Sequence, residues 1–249
     1  MPIPKEFTAT AGLLEGRVIL VTGANSGLGR ALALDCARAG ATVILSGRSA
    51  ARLEPVYDEI ERMGAPRPAM AVLDLEKATA VDYDGLAGTV GAEFGRLDGL
   101  VHSAALLGDR TPLEQYDIPT WCKVLHVDLT APLILTQVML PHLRKSADAS
   151  IIFVSSGVVR TQRPFWGAYA VAKTALESVC SMLSQELEVA PNLRVNSVNP
   201  GRMRTRMRAA AYPAEDPDTL PPPNAVTRSF LYLLSERGRG ITGRYLDAQ

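Results

Sequence analysis

The fold is decided by the stretch Val18-Ile-Leu-Val-Thr-Gly23-Ala-Asn-Ser-Gly27-Leu-Gly29, in which three glycines follow an apolar run and precede a helical pattern. Gly23 permits a tight turn, Gly27 lets a backbone approach a pyrophosphate, and Gly29 lets helix and sheet pack closely. The N-terminus of the helix then offers N–H groups and partial positive charge to phosphates. Glycines also occur in many structural turns, but the preceding strand and following helix favour a dinucleotide-binding turn. Its expected contacts are Gly23, Asn25, Ser26, Gly27, Leu28 and Gly29.

Apolar runs alternate with longer amphipathic stretches along the rest of the chain. The runs lack period-2 alternation, which is typical of strands buried on both faces of a parallel sheet. This rhythm predicts an α/β fold, a doubly wound sheet with helices on both faces. The predicted strands are Val18–Val21, Thr42–Leu45, Ala69–Leu73, Gly99–Val101, Ile151–Val154 and Val195–Val198. The predicted helices include Gly29–Ala39, Ala80–Phe94, Trp121–Leu143 and Tyr169–Leu187.

One segment interrupts this rhythm. Tyr212–Asn224 is rich in proline and acidic residues, and its three prolines at 221–223 exclude a continuous helix there. A loop of this length is uncommon unless it is functional, so we expect a substrate lid over about 203–224; a disordered surface loop is the alternative. No repeat or linker divides the chain, which predicts a single domain over 1–249.

Composition narrows the function classes. The 249 residues carry 26 basic and 26 acidic side chains, so no global field favours nucleic acid or a membrane surface. The three cysteines form no CxxC pair, and we expect them to be reduced and buried. The first fifteen residues lack a signal-peptide layout, and no apolar run approaches the roughly 20 residues that span a bilayer. These features predict a soluble cytoplasmic protein with neither nucleic-acid nor membrane partners.

A tyrosine and a lysine four residues apart carry the candidate chemistry. Tyr169 and Lys173 share one face of a predicted helix, and an ammonium close to a phenol is expected to lower the phenol's pKa toward neutrality. Ser156 lies just past the fifth predicted strand, at the edge where open α/β sheets bind ligands. Ser155 is the neighbouring alternative, although the spacing to Tyr169 favours Ser156.

Five motifs in order resemble the short-chain dehydrogenase/reductase family. They are Thr22–Gly29, Asp74-Leu75, Ser156 with Tyr169-Ala-Val-Ala-Lys173, Asn199-Pro-Gly201 with Thr205, and Ile241-Thr-Gly243. The segments 106–109, 166–170 and 212–217 look closest to its bacterial YciK-like subgroup.

The resemblance implies a Rossmann-like sheet of about seven strands in the order 3-2-1-4-5-6-7 and an oxidoreductase that interconverts a carbonyl and an alcohol. It implies catalysis by Ser156, Tyr169 and Lys173, with the last two also contacting the cofactor. Further implied cofactor contacts are Asp74 and Leu75 at the adenine, Ser103, Ala104 and Ala105 at the ribose, and Pro200, Gly201 and Thr205 at the nicotinamide. A homodimer or homotetramer is also implied.

The second predicted strand indicates which nicotinamide nucleotide binds. Gly47 stands where an NAD-selecting carboxylate is expected, and Arg48 follows it. A guanidinium offers forked, charge-assisted donors to a 2′-phosphate. We therefore expect NADP(H), with NAD(H) as the second cofactor; a solvated arginine is the structural alternative.

Two positions depart from the family pattern. Asp128 stands where the family usually carries a helix asparagine, which leaves its catalytic role open, and His102-Ser-Ala-Ala105 replaces the usual Asn-Asn-Ala-Gly. The three histidines lack metal-ligand spacing, so we expect no metal and a hydrogen-bonded, structural His102.

Three functions remain open at this point. A reductase of a small carbonyl compound is the leading one. A second is a reductase of oxoacyl groups linked to an acidic carrier protein, which would bind the carrier through Arg202, Arg204, Arg206 and Arg208. The alternative interpretation of these arginines is a solvated charged face, partly paired with Glu215 and Asp216. A nucleotide-binding sensor without catalysis would explain the two departures.

Overall fold

The apolar runs form one parallel sheet in the computed structural model, which describes residues 3–4, 6–190 and 192–249. Seven strands are hydrogen-bonded in the order β3-β2-β1-β4-β5-β6-β7, with every neighbouring pair parallel. The predicted order and fold class are confirmed. The strands are β1 (Val18–Thr22), β2 (Thr42–Gly47), β3 (Ala69–Val72), β4 (Gly99–His102), β5 (Ala149–Val154), β6 (Leu193–Asn199) and β7 (Arg244–Asp247).

Helices cover both faces of this sheet. Because successive strand residues point to opposite faces, Ile19 and Val21 of β1 join one core cluster and Val18 and Leu20 join the other. The helices in chain order are α1 (Gly27–Arg38), α2 (Ala50–Arg62), α3 (Ala80–Phe94), α4 (Ile118–Leu125), α5 (Ala131–Leu143), α6 (Val158–Thr161), α7 (Gly167–Glu186), α8 (Arg206–Ala211) and α9 (Thr227–Leu234). The first core cluster contains residues of α1, α2 and α9, and the second contains residues of α3, α5 and α7.

The edge strand β3 corrects one expectation. Its burial alternates, and Met70 and Val72 are 41% and 56% exposed, so it is not buried on both faces. The strand lies at the margin of the sheet, where helices cover one face less completely. The cysteines need a similar correction, because Cys36 and Cys180 are buried but Cys122 is exposed on α4.

Helices α4 and α5 are joined by a π-helical turn, His126–Thr130, into one helix over Ile118–Leu143. Its 26 residues are long and apolar enough to cross a membrane by length and composition alone, so the expectation that no segment is long enough was wrong. Helices buried inside soluble proteins meet the same criterion, and Leu135, Met139 and Leu143 of this helix are fully buried in the second core cluster.

The segment 203–224 is more regular than the sequence predicts. It contains α8 and short 3₁₀ turns at Pro217–Thr219 and Pro223–Val226, and the predicted absence of a continuous helix at the prolines is confirmed. Arg208 forms a two-pronged ion pair with Glu215. Asp216 instead accepts the N–H of Asp218, whose carboxylate pairs with Arg204, so the expected pairing of Asp216 with an arginine was wrong.

Candidate active site

A cleft of about 440 Å³ opens at the carboxyl ends of the central strands, within the size range of small-molecule sites. Every cofactor and catalytic residue predicted from the sequence lines this cleft except Asp128. The predicted residues lining it are Gly23, Asn25, Ser26, Gly27, Leu28, Gly29, Arg48, Asp74, Leu75, Ser103, Ala104, Ala105, Ser156, Tyr169, Lys173, Pro200, Gly201 and Thr205.

The glycine turn forms the floor of the cleft between β1 and α1. Gly23 and Gly27 have φ values of 67° and 54°, in the region that favours glycine. A Cβ at Gly29 would overlap the carbonyl oxygen of Gly23, and a Cβ at Gly23 would lie 3.0 Å from the Cα of Ala104. The turn is therefore a backbone cradle that side chains would fill, and it faces the cleft beside the first N–H groups of α1.

Two arginines lie at the far end of the cleft. Arg48 follows β2 directly, Arg52 lies in the first turn of α2, and both line the cleft. The sequence analysis missed Arg52, although its spacing from Arg48 was the signal that could have identified it. Gly47 contributes no carboxylate here, and a Cβ at this position would lie 3.1 Å from Leu53.

Ser156, Tyr169 and Lys173 meet at the other end of the cleft. Ser156 follows the carboxyl end of β5, and the other two lie one turn apart on α7. The Ser156 hydroxyl lies close enough to the Tyr169 phenol to act on its pKa, and the Lys173 Nζ lies 5.7 Å from the centre of the Tyr169 ring. Ser155, the alternative serine, is buried and donates its hydroxyl to Glu177, so it is committed to another partner.

The electrostatics of this cluster differ from the sequence expectation. Burial raises the pKa of Tyr169 well above its ordinary value, the negative charge of Asp128 raises it further, and the hydrogen bond with Ser156 opposes both. Burial also lowers the pKa of Lys173, while Asp128 acts in the opposite direction. The expectation that the ammonium lowers the phenol's pKa was wrong for this structure, because desolvation dominates.

Asp128 lies one layer behind the cleft, in the π-helical turn. Its carboxylate is completely buried; Oδ1 accepts the backbone N–H of Leu106 at 2.7 Å, and Oδ2 lies 3.9 Å from the Lys173 Nζ. Within the described chain, Oδ2 has no hydrogen-bond partner. Burial raises the pKa of Asp128 to about 6, although Lys173 and the Leu106 N–H both act to lower it. Asp128 thus links the loop after β4 to the lysine of α7.

His102 is a buried structural residue. Its Nε2 lies 2.8 Å from the Thr136 hydroxyl, which donates to the Pro132 carbonyl, so the ring nitrogen is the donor in that pair. Burial, with the charge of Lys173, lowers the pKa of His102 to about 3, which keeps the ring neutral. Among the described residues, no group of three or more histidine, cysteine, aspartate or glutamate side chains could hold a metal.

Threonine hydroxyls hold the two loops that flank the cleft by accepting hydrogen bonds from backbone N–H groups. The Thr22 hydroxyl accepts the N–H groups of Ser103 and Ala104 at 3.0 and 3.1 Å, which fixes the loop after β4 against β1. Ala105 does not adopt a positive φ, so this loop tolerates alanine in place of the family's glycine. On the opposite side, Thr205 accepts the N–H of Arg208 and caps α8.

The segment 203–224 covers the end of the cleft near Tyr169. Met207 and Ala211 of α8 line the cleft and join Trp166 and Tyr169 in a third hydrophobic cluster. The Arg110 guanidinium lies 4.4 Å from the Trp166 ring centre and 5.2 Å from that of Tyr212, and it donates to the Ala211 carbonyl. Arg110 thus connects the loop after β4 to the end of α8.

A sheet in this order, with a glycine cradle at the first strand–helix turn, defines a dinucleotide-binding protein of the Rossmann type. The family model "short chain dehydrogenase" matches residues 17–216, and the chain belongs to this family of oxidoreductases. The resemblance inferred from the five motifs is therefore confirmed.

Individual relatives agree over nearly the whole chain. The oxidoreductase YciK of Escherichia coli (strain K12) is 42% identical over 95% of this chain and 93% of its own length. A solved structure of a short chain dehydrogenase from Pseudomonas syringae is 48% identical, covers 98% of this chain and 99% of its own, and superposes with a TM-score of 0.96. Another, from Escherichia coli CFT073 in complex with NADPH, is 43% identical over 96% of this chain and 98% of its own, with a TM-score of 0.93.

Proposed function

We propose that this protein is an NADP(H)-dependent reductase of small carbonyl compounds that uses Ser156, Tyr169 and Lys173. The observation that carries the proposal is that these three side chains line the same cleft as the glycine cradle and the Arg48–Arg52 pair. A non-catalytic nucleotide sensor would need the cradle but not this cluster of polar groups beside it.

The chemistry follows from the protonation states of the site. NADPH supplies a hydride to the carbonyl carbon when bound. Tyr169, whose raised pKa keeps it protonated at neutral pH, donates its proton to the carbonyl oxygen, and the Ser156 hydroxyl orients that oxygen by a hydrogen bond. Lys173 contributes positive charge beside the phenol and a contact for the nicotinamide ribose. Asp128 holds Lys173 and the Leu106 backbone in place, and is a positioning residue.

The nucleotide end of the cleft fits NADP(H). The cradle of Gly23, Gly27 and Gly29 accepts a pyrophosphate, and Arg48 and Arg52 supply two cations where a 2′-phosphate would lie. Asp74 and Leu75 bound the adenine, Ser103, Ala104 and Ala105 contact the ribose, and Pro200, Gly201 and Thr205 hold the carboxamide. The relative from Escherichia coli CFT073 that was solved with NADPH supports this assignment.

The test of catalysis is the variant Tyr169→Phe, with Tyr232→Phe on α9 as a matched control outside the cleft. Loss of NADPH absorbance is followed against a panel of carbonyl compounds, and nucleotide binding is measured by fluorescence. Tyr169→Phe should bind NADPH normally and lose about 10²–10⁴-fold in turnover, the usual contribution of a proton donor. Tight NADPH binding by the wild type without turnover of any compound would instead support the sensor.

The test of nucleotide preference compares Arg48→Ala, Arg52→Ala and the double variant. Each should lower the ratio of kcat/KM for NADPH to that for NADH, and the double variant should lower it most. An unchanged ratio in the double variant would refute the role of both arginines.

Segment 203–224 is proposed to act as a substrate lid, and self-association through the joined helix α4–α5 and through α7 is proposed as well. Both helices present exposed apolar side chains, among them Ile118, Val171 and Met182. A homodimer or homotetramer in the cytoplasm is the expected form. Light scattering on wild-type protein and on Met182→Glu tests the assembly, and a wild-type monomer would refute it.

A further inference from the structure

The end of the cleft around Tyr169 has a distinct apolar wall, which we define as Leu106, Leu107, Trp166, Met207 and Ala211. All five belong to the third hydrophobic cluster, which includes Tyr169 itself, and Leu106 also packs against the second core cluster. The Trp166 and Tyr169 ring centres are 5.8 Å apart. A molecule whose reacting oxygen meets Tyr169 therefore also meets this wall.

Most charged side chains near the wall already form ion pairs, ring contacts or hydrogen bonds within the protein. Arg208 lines the cleft, but its Nε and Nη2 donate to the Glu215 carboxylate at 2.5 and 2.6 Å. Its guanidinium also lies 3.7 Å from the Tyr212 ring centre. Arg110 packs against the rings of both Trp166 and Tyr212 and donates to a backbone carbonyl. Of the other cations in this part of the described chain, Arg206 lines the cleft from an exposed position on its rim.

This distribution disfavours an anionic substrate. A carboxylate or phosphate lying against the apolar wall would lose its hydration without gaining an unpaired cation there, since Arg208 is paired with Glu215 and Lys173 with Asp128, and Arg206 lies on the exposed rim. It would also add negative charge beside Tyr169, where Asp128 already acts electrostatically on the phenol. An apolar group gains from the same surroundings, because it displaces water from the side chains of the wall.

We propose that the substrate is an uncharged carbonyl compound with an apolar, ring-sized group that packs on the apolar wall. The inference rests on the proposed reductase function and specifies the substrate class of the same cleft. In the reaction the carbonyl π bond is lost, the carbon gains the hydride that NADPH would supply, and the oxygen gains the Tyr169 proton. The Tyr169 phenolate then takes a proton from solvent, so the net products are an alcohol and NADP⁺. Substrates that place a carboxylate or a phosphate against the wall are excluded by this proposal.

The experiment compares two probes that differ in charge, methyl benzoylformate and benzoylformate. Binding of each to the protein saturated with NADP⁺ is measured by calorimetry, and reduction of each is measured with NADPH. The ester should bind at least about tenfold more tightly than the acid, the scale on which an apolar site discriminates against a poorly matched group. Equal or tighter binding of the acid, or no binding of the ester, would overturn the proposal.

A matched pair of variants tests the wall itself. Met207→Gln places an amide in the wall and should weaken ester binding by about tenfold, whereas Met70→Gln makes the same change on the exposed edge strand β3 and should have no effect. Equal effects of the two variants would overturn the assignment of the wall. Tight binding of the acid that Arg206→Ala abolishes would identify an anion site on the rim and also overturn it.

These measurements separate the substrate class from the reductase function. Tight ester binding without turnover of either probe would refute catalysis but support the apolar wall as a binding surface. Preferential reduction of the acid would support catalysis and overturn the substrate class.

Discussion

Replacing Asp128 by asparagine should change how the stability of the protein depends on pH. Asparagine keeps the shape and an acceptor for the Leu106 N–H, but removes a completely buried negative charge 3.9 Å from the Lys173 Nζ. The pKa of Asp128 is about 6 in the folded protein against an ordinary value of 3.8. The folded state thus holds this proton more tightly than the unfolded chain, so rising pH destabilises the wild type until both states are ionised.

The magnitude follows from the two pKa values. Their separation corresponds to about 3 kcal/mol of unfolding free energy, of which about 2 kcal/mol should be lost between pH 4 and pH 7. This loss is absent in Asp128→Asn, so the free energy of unfolding of the variant relative to the wild type should rise by that amount across the interval. The change between pH 4 and pH 7 is the quantity to compare, because loss of the carboxylate also removes an ion-pair partner of Lys173 and so alters the stability of the variant at any single pH.

Urea denaturation of both proteins at several pH values between 4 and 7 measures this difference. The control is Asp84→Asn, which removes an exposed carboxylate on α3 and should leave the difference from wild type nearly constant. If the free energy of unfolding of Asp128→Asn relative to the wild type stays constant or falls as pH rises, the conclusion that folding raises the pKa of Asp128 is refuted.

Three further predictions concern the cradle, the cysteines and the lid. Gly29→Ala should lower both the melting temperature and NADPH affinity, since its Cβ would overlap the Gly23 carbonyl; normal values of both would refute the close packing. In the native protein a thiol reagent should modify Cys122 alone, because the other two cysteines are buried and burial raises their pKa; mass spectrometry showing rapid modification of a second thiol would contradict this. Arg110→Ala should make the 203–224 segment more sensitive to limited proteolysis, because it removes the contacts with Ala211 and the two aromatic rings; unchanged cleavage would argue against a lid held by Arg110.

The parts of the fold that are set by local patterns could be predicted from the sequence. The glycine turn specified a strand, a tight turn and a helix, and its backbone angles agree with that prediction. Helix α3 was predicted with its observed bounds. The bounds of helix α2 were not among those predicted; this helix contains Pro55, which weakens a helical pattern although the helix accommodates it. The strand order came from the resemblance to a family, since periodicity alone does not specify which strands are neighbours.

The electrostatics of the site could not be predicted from spacing. The spacing of four residues from Tyr169 to Lys173 places both on one face of α7, as predicted. The direction in which the phenol's pKa is shifted depends instead on burial and on Asp128. Both factors come from tertiary packing: the π-helical turn presents Asp128 to the lysine, and the loop after β4 covers it through Leu106. The role of Arg110 was hidden for the same reason, since its partners Trp166 and Tyr212 are distant in sequence.

The raised pKa of Tyr169 bears on the direction of the proposed reaction. A phenol that is protonated throughout the neutral range can donate a proton to a developing alkoxide, whereas alcohol oxidation requires the phenolate to accept one. Burial and the charge of Asp128 both disfavour that phenolate. An asparagine at position 128 would remove the effect of the negative charge on the phenol's pKa. The aspartate that departs from the family pattern therefore helps to keep Tyr169 protonated, as proton donation requires. In the proposed reaction, Asp128 therefore acts in favour of proton donation by Tyr169, the step that carbonyl reduction requires.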